Sequence, residues 1–182
     1  MPRLEPLSPD TMTPRQKQVH DDIVSGPRGA VRGPLAVWLH RPDLADRAQS
    51  LGQYCRYETA LPPRLSELAI LTTARVWRSE YEWAAHKPLG LEAGLSSDVI
   101  EAIRTDSAPA FEHDDEAVVY EVSKTLHIER QIDDALYARA ISVLGENQLV
   151  DLIGILGYYT LISMTINGFG VPAPEGSEPE LR

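Results

Sequence analysis

The sequence predicts an all-α protein, a bundle of about seven or eight helices. Three observations carry that reading. Apolar residues recur at three- and four-residue spacing through most of the 182 residues, the period of a helix with one buried face. Cap signals, with Ser, Thr or Pro before the apolar runs and Gly after them, bracket those stretches. No segment alternates apolar and polar residues as a half-buried strand does; the Val-, Ile- and Tyr-rich stretches all lie inside helix-length runs.

The elements follow in order. Thr13, Pro14 and Gln16 read as N-cap, first helical residue and capping-box partner of a first helix that Gly26 stops. "GPRGAVRGPLAVWLHRP" holds three glycines and three prolines, so it is a loop with a helical turn at Leu35–Leu39. In "DLADRAQSLGQYCRY", Leu44, Ala45, Ala48, Leu51 and Cys55 form one apolar stripe. "LPPRLSELAILTTARVW" starts on prolines and is apolar on nearly every side, which describes a core helix. "SEYEWAAHKPLGLEAGL" is a helix stopped by Gly94, with Pro88 expected to kink or end it. "SSDVIEAIR" is capped by Ser96 or Ser97. "DDEAVVYEVSKTLH", "DDALYARAISVLG" and "NQLVDLIGILGYYTLISMTING" complete the set, the last with Asn167-Gly168 as its stop. Both ends read as loose, and the polar, Pro-containing tail at 173–182 as disordered. The whole, 1–182, reads as one domain: an N-terminal extension at 1–60, a core motif at 61–103 and C-terminal helices at 112–170.

Twenty-seven acidic residues against 17 basic ones leave a net charge of −10. A nucleic-acid partner needs a basic stripe, so none is expected; docking on an anionic membrane is disfavoured for the same reason. No apolar run of about 18 residues suggests a membrane span. The N-terminus has no apolar signal-peptide core, and Cys55, the single cysteine, excludes an intramolecular disulfide and a Cys-rich zinc site. The expected compartment is the cytoplasm, and no cofactor is expected.

The chemistry concentrates in "SEYEWAAH", Ser79 to His86. At about 100° per residue, Glu82, His86, Leu89 and Ser79 share one helical face, while Glu80 points almost opposite. If the chain reverses near Arg78, Glu67 lies about 16 Å back from the turn and His86 about 12 Å along the other arm, so Glu67, Glu82 and His86 converge. A buried carboxylate beside a histidine can pass protons to and from a substrate carbon or oxygen. An ordinary surface pair at i, i+4, worth a few tenths of a kcal/mol, accounts for the same spacing. Two carboxylates and a histidine can also ligate iron or zinc, but no second histidine falls at ligand spacing, so no metal is expected. Among the other histidines, His20, His113 and His127 read as structural, and so does His40, although its place near the Gly/Pro loop would let it face a pocket.

Residues 61–103, "LPPRLSELAILTTARVWRSEYEWAAHKPLGLEAGLSSDVIEAI", resemble the carboxymuconolactone decarboxylase family, which includes the alkyl hydroperoxidase D-like proteins. The resemblance implies an alkyl hydroperoxidase D-like helical bundle and a homo-oligomer, a trimer or hexamer. The hydroperoxidase branch carries C-x-x-C-x-x-x-H with a glutamate twelve residues before the first cysteine. Here Ser79 and Glu82 stand at the two cysteine positions, His86 matches the histidine and Glu67 the upstream glutamate. Cysteine-based peroxide reduction needs two thiols, so a cysteine-less variant of this kind is not expected to do it. "EYEWAAH" is similar to the decarboxylase pattern, which implies proton-transfer chemistry on a small carboxylated lactone from aromatic catabolism.

The leading expectation is therefore an acid/base enzyme (a decarboxylase, or a related isomerase or hydrolase) with Glu82 and His86 moving the proton and Glu67 relaying it. Ser79, Tyr81, Trp83, Pro34 and Leu35 are the candidate pocket wall; for Trp83, core or subunit packing is the preferred alternative. If the substrate is a carboxylate, Arg64, Arg75 or Arg78 is expected to clamp it. The competing readings are a peroxidase-like antioxidant and a non-catalytic oligomeric binding protein.

Overall fold

The computed structural model describes residues 3–181. Among them are eight α-helices, a 3-10 turn at Pro9–Thr11 and no strand. The centre is α4 (Pro63–Trp77), which packs against α5 (Glu80–Glu92), α7 (Asp114–Glu129) and α8 (Asp134–Phe169). Its apolar residues face neighbours on every side: Leu65, Leu68, Ala69, Ile70, Leu71 and Ala74 are all essentially inaccessible. Thr72 and Thr73 sit among them because each hydroxyl donates back to a carbonyl one turn earlier, Leu68 at 2.8 Å and Ala69 at 2.9 Å, so neither is buried unpaired. Around this centre, α1 (Pro14–Ser25), α2 (Pro34–Trp38) and α3 (Pro42–Tyr57) form an outer layer against α8, and α6 (Ser97–Arg104) covers α4 from the other side.

The helix starts are local chemistry. Thr13 and Gln16 form the capping box of α1, and Ser96 accepts from Asp98 N–H at the start of α6. The helices α2, α3 and α4 each begin on a proline, whose missing N–H costs nothing in a first turn.

Three features depart from expectation. The last two helical runs, parted at Gly145 (φ 75°, ψ 170°) where the sequence divides them, are joined end to end as α8. It ends at Phe169 rather than at Asn167-Gly168, because Gly170 takes the left-handed turn (φ 62°) and the Asn167 amide is used elsewhere, donating to Trp77 O at 2.7 Å. Pro88 does not end α5, which continues to Glu92 with Gly90 pressed against Leu71 and Leu95. The ends are tied down: Arg3 N–H donates to Phe169 O at 2.9 Å, and the Glu80 carboxylate accepts from the N–H groups of Glu180 (2.8 Å) and Leu181 (3.0 Å). Lys87 pairs with Glu180 at 2.6 Å and Leu181 is buried. A polar tail has too little apolar surface to order itself, but unpaired backbone N–H groups find strong acceptors in a fixed carboxylate.

By length and composition α8 could also cross a membrane, which corrects the expectation that no such run exists; 61% of its most apolar stretch is buried in the bundle. Asp151 interrupts that stretch from within, accepting from Tyr54 O–H and Ala60 N–H, both at 2.6 Å. It thereby anchors the end of α3 and the entry to α4.

Candidate active site

The helices α4 and α5 form an antiparallel hairpin. The reversal is made by Arg78, a left-handed residue (φ 49°, ψ 43°), whose N–H returns to Arg75 O while Ser79 N–H returns to Ala74 O at 2.8 Å. This brings Glu67 level with His86. The His86 ring lies between two carboxylates: Nδ1 is 2.7 Å from a Glu67 oxygen and Nε2 is 3.3 Å from a Glu82 oxygen. His86 is 2% exposed and Glu82 4%, so this is no surface pair. Tyr159, from α8, meets the imidazole edge-on with ring centroids 5.2 Å apart.

Burial on its own would strip His86 of its charge. The hydrogen bonds to Glu67 and then Glu82 outweigh it and push the imidazole up from 6.5 to about 9. Arg56, from α3, brings Nη1 to 3.3 Å from the same Nε2. Two donors cannot share one hydrogen bond, so the ring nitrogen has partners of opposite kind. It donates to Glu82 when protonated and accepts from Arg56 when neutral.

A cavity of about 460 Å³ opens beside Glu82, His86, Arg56 and Tyr159. Glu67 is not in its wall; it stands behind the imidazole and holds Nδ1. Three arginines line the cavity: Arg28 and Arg32 from the loop between α1 and α2, and Arg56. Arg15, Arg64, Arg104 and Arg139 all pair with carboxylates within 4 Å. Among the described residues the three cavity arginines have no such pair; Arg28 instead donates to Tyr158 O–H at 3.1 Å.

Two glycines make this wall possible. A Cβ on Gly52 of α3 would lie 2.0 Å from the Tyr158 oxygen and 2.3 Å from Arg28 Nη2, so only glycine lets that pair cross α3. Gly33 has φ 56° and ψ −127°, and a Cβ there would lie 2.5 Å from Tyr81 Cζ. The loop backbone therefore runs directly against the Tyr81 ring.

Of the pocket-wall residues expected from sequence, Tyr81, Pro34 and Leu35 line the cavity. Ser79 and Trp83 do not. Both are buried in the core, their hydroxyl and indole N–H without partners. Ser79 is the N-cap residue of α5, outside its helical repeat (φ −85°, ψ 89°), and Trp83 is packed into the core. The expected clamp is also different: Arg64 is taken up by Asp115 and Glu116, Arg75 approaches Asp106, and Arg78 forms the hairpin turn. None of them lines the cavity. His40 does not line it either, its ring nitrogen lying 3.0 Å from Glu5 O. Sequence reasoning missed Arg28, Arg32, Arg56 and Tyr159. A signal for the first two was present: "GPRGAVRGP" carries two arginines and no acid in a chain with ten excess negative charges.

Residues 42–122 match the model of the carboxymuconolactone decarboxylase family. Over that segment the chain is similar to the family. The matched segment starts at the first residue of α3 and ends within α7, so it contains Arg56, Glu67, Glu82 and His86, whereas Arg28, Arg32 and Tyr159 lie outside it. The bundle is the alkyl hydroperoxidase D-like helical fold of the family. No curated protein matches the chain.

Proposed function

We propose that this protein, whose residues 42–122 match the carboxymuconolactone decarboxylase family, is an acid/base enzyme that decarboxylates a small carboxylated substrate of the lactone type, from aromatic catabolism; isomerisation or hydrolysis would use the same groups. One observation carries the reading: a histidine bonded between two carboxylates adjoins a cavity lined by three arginines that have no ion-pair partner among the described residues. Unpaired guanidinium groups at a cavity suit a carboxylate, which they can grip through two parallel N–H···O bonds.

The chemistry then follows from position. Arg28, Arg32 and Arg56 orient the substrate carboxylates. When the C–C bond to one carboxylate breaks, its electron pair passes into the conjugated carbonyl system and CO2 departs. His86 Nε2, facing the cavity with Glu82, delivers a proton to the resulting carbanionic carbon; water restores it. Glu67 keeps the other ring nitrogen bonded and so fixes the ring's orientation. No external oxidant or reductant is needed, and we propose that the enzyme works without a metal or cofactor.

Cys55 supports rejecting a thiol mechanism. It is 1% exposed, and burial together with Asp151 pushes its thiol up to about 11, so the reactive thiolate is scarce at neutral pH. We further propose a cytoplasmic location and a homo-oligomer, a trimer or hexamer; Val150, Ile153, Leu161 and Met164 form an outward apolar stripe on α8 that suits burial between copies.

The test is CO2 release from a carboxylated muconolactone and related carboxylated lactones, with proton exchange at the adjacent carbon followed by NMR. Turnover that His86→Gln lowers by about 10²–10⁴-fold is the expected result. Absence of both release and exchange across the series, or turnover indifferent to His86→Gln, would overturn the reading.

A further inference from the structure

A second cavity, of about 270 Å³, abuts the first. Arg32 and Tyr81 line both. Apart from Arg32, its wall is largely apolar: Leu4, Pro6, Ala36, Val37, Val171 and Ala173 contribute to it. The two therefore differ in kind. One is rich in arginine and holds the acid/base cluster; the other offers only hydrocarbon beyond the same arginine and the same tyrosine ring.

This apolar cavity is built from both ends of the chain. The N-terminal segment is pinned by Arg3, whose N–H meets Phe169 O and whose guanidinium meets Gly168 O, both at 2.9 Å, and by the contact between the His40 ring and Glu5 O at 3.0 Å. The segment after α8 closes the other side, with Val171 N–H held by Ile166 O at 3.0 Å. The partition is the Tyr81 ring, against which Gly33 runs without a side chain.

We propose that the apolar cavity is a second subsite, which takes the hydrocarbon or aromatic tail of a carboxylic acid whose carboxylate sits at Arg32 in the first. The inference rests on the carboxylate reading above and adds a length and polarity requirement to it: the preferred ligand is an acid with an apolar tail several carbons long. Arg32 is the residue that reads the junction, because its guanidinium can bond the head while its methylene stem lies beside the tail.

The test is calorimetric titration of the full chain with acetate, butyrate, hexanoate and 3-phenylpropionate, repeated for Ala36→Trp and Ala173→Trp, which fill the cavity from opposite walls, and for Arg56→Ala. In the native protein affinity should rise about fourfold per added methylene. Either tryptophan should flatten that rise and leave acetate binding within about twofold, while Arg56→Ala should weaken every acid alike. Equal affinity for acetate and hexanoate in the native protein would overturn the subsite and leave the carboxylate reading standing. Hexanoate binding untouched by both tryptophans would place the tail elsewhere and overturn it too. If no acid binds, the carboxylate reading falls and the subsite falls with it. Circular dichroism on each variant separates a blocked cavity from an unfolded chain, and two independent positions keep the outcome decisive if one of them fails to fold.

Discussion

The α4–α5 hairpin and the loop between α1 and α2 contribute to one cavity in opposite ways. The hairpin supplies Glu67, Glu82 and His86 from regular helices, with every position set by a 1.5 Å rise and a 100° turn. The loop supplies Arg28 and Arg32 from backbone with no period at all, shaped by the positive φ of Gly29 and Gly33. The hairpin also lies inside the family segment and the loop outside it. The difference separates two tasks. A proton must be held to within tenths of an ångström, which suits rigid helices; a substrate must be selected, which suits a loop that can vary while the core stays intact.

The sharpest way to break that division is kinetic. His86→Gln on the hairpin should lower kcat by about 10²–10⁴-fold, the usual worth of a positioned general acid. Arg32→Ala on the loop should raise KM by roughly tenfold and leave kcat nearly unchanged, because it removes binding that ground state and transition state share. Steady-state assays on the two variants decide it. If Arg32→Ala lowers kcat as steeply as His86→Gln does, the loop takes part in the chemistry.

Next in size is a pH effect confined to the hairpin. His86 is raised from 6.5 to about 9 in the fold, so the folded state binds its proton more tightly than the unfolded chain does. The resulting stability is full below about pH 6.5, falls as pH rises and is gone above about 9. Its size is at most roughly 3 kcal/mol. The groups facing the ring are Glu67 from α4, Glu82 on α5, Arg56 from α3 and Tyr159 from α8. Urea unfolding at pH 6.5, 7.5 and 9.5 should show the decline, and Glu67→Gln should flatten it. A decline of the same size in Glu67→Gln would assign it to another group.

These contrasts also explain what was legible in the sequence. Convergence of Glu67, Glu82 and His86 followed from periodicity and one assumed turn, which Arg78 makes. Caps foretold the starts of α1 and α6, because an N-cap is a local bond between residues two or three apart. The arginine clamp was not legible, because nothing local says where a loop side chain ends up. Arg64 and Arg75 were equally charged and nearer the motif, and only long-range pairing with Asp115, Glu116 and Asp106 removed them. The pinned tail was hidden for a similar reason: Glu80 and residues 180–181 are a hundred positions apart.

A smaller effect sharpens the loop's side of the comparison. Gly33→Ala forces a side chain into a conformation that glycine tolerates and alanine does not, at a cost of about 1–3 kcal/mol. It also pushes a methyl group into the Tyr81 ring. The melting temperature should fall and KM should rise, with the His86 pH profile unchanged. A shifted profile would mean that the loop and the acid/base cluster are mechanically coupled through Tyr81.

The smallest effect uses two glutamates separated by one residue. Glu82 faces His86; Glu80, about 200° around the helix, holds the C-terminal tail through two backbone N–H groups. Glu80→Gln keeps one carbonyl acceptor and loses the charge, so one of those two bonds weakens. The expected loss is about 1 kcal/mol of stability, with local hydrogen exchange accelerated at residues 180 and 181 and turnover within about twofold of the parent, as for a substitution remote from a site. Glu82→Gln, with the same change in chemistry, should instead draw the His86 imidazole down toward its ordinary range and lower kcat. The pair isolates position from residue type. If both variants lose turnover to the same extent, the tail is part of the working site and the two faces of α5 cannot be treated as scaffold and chemistry.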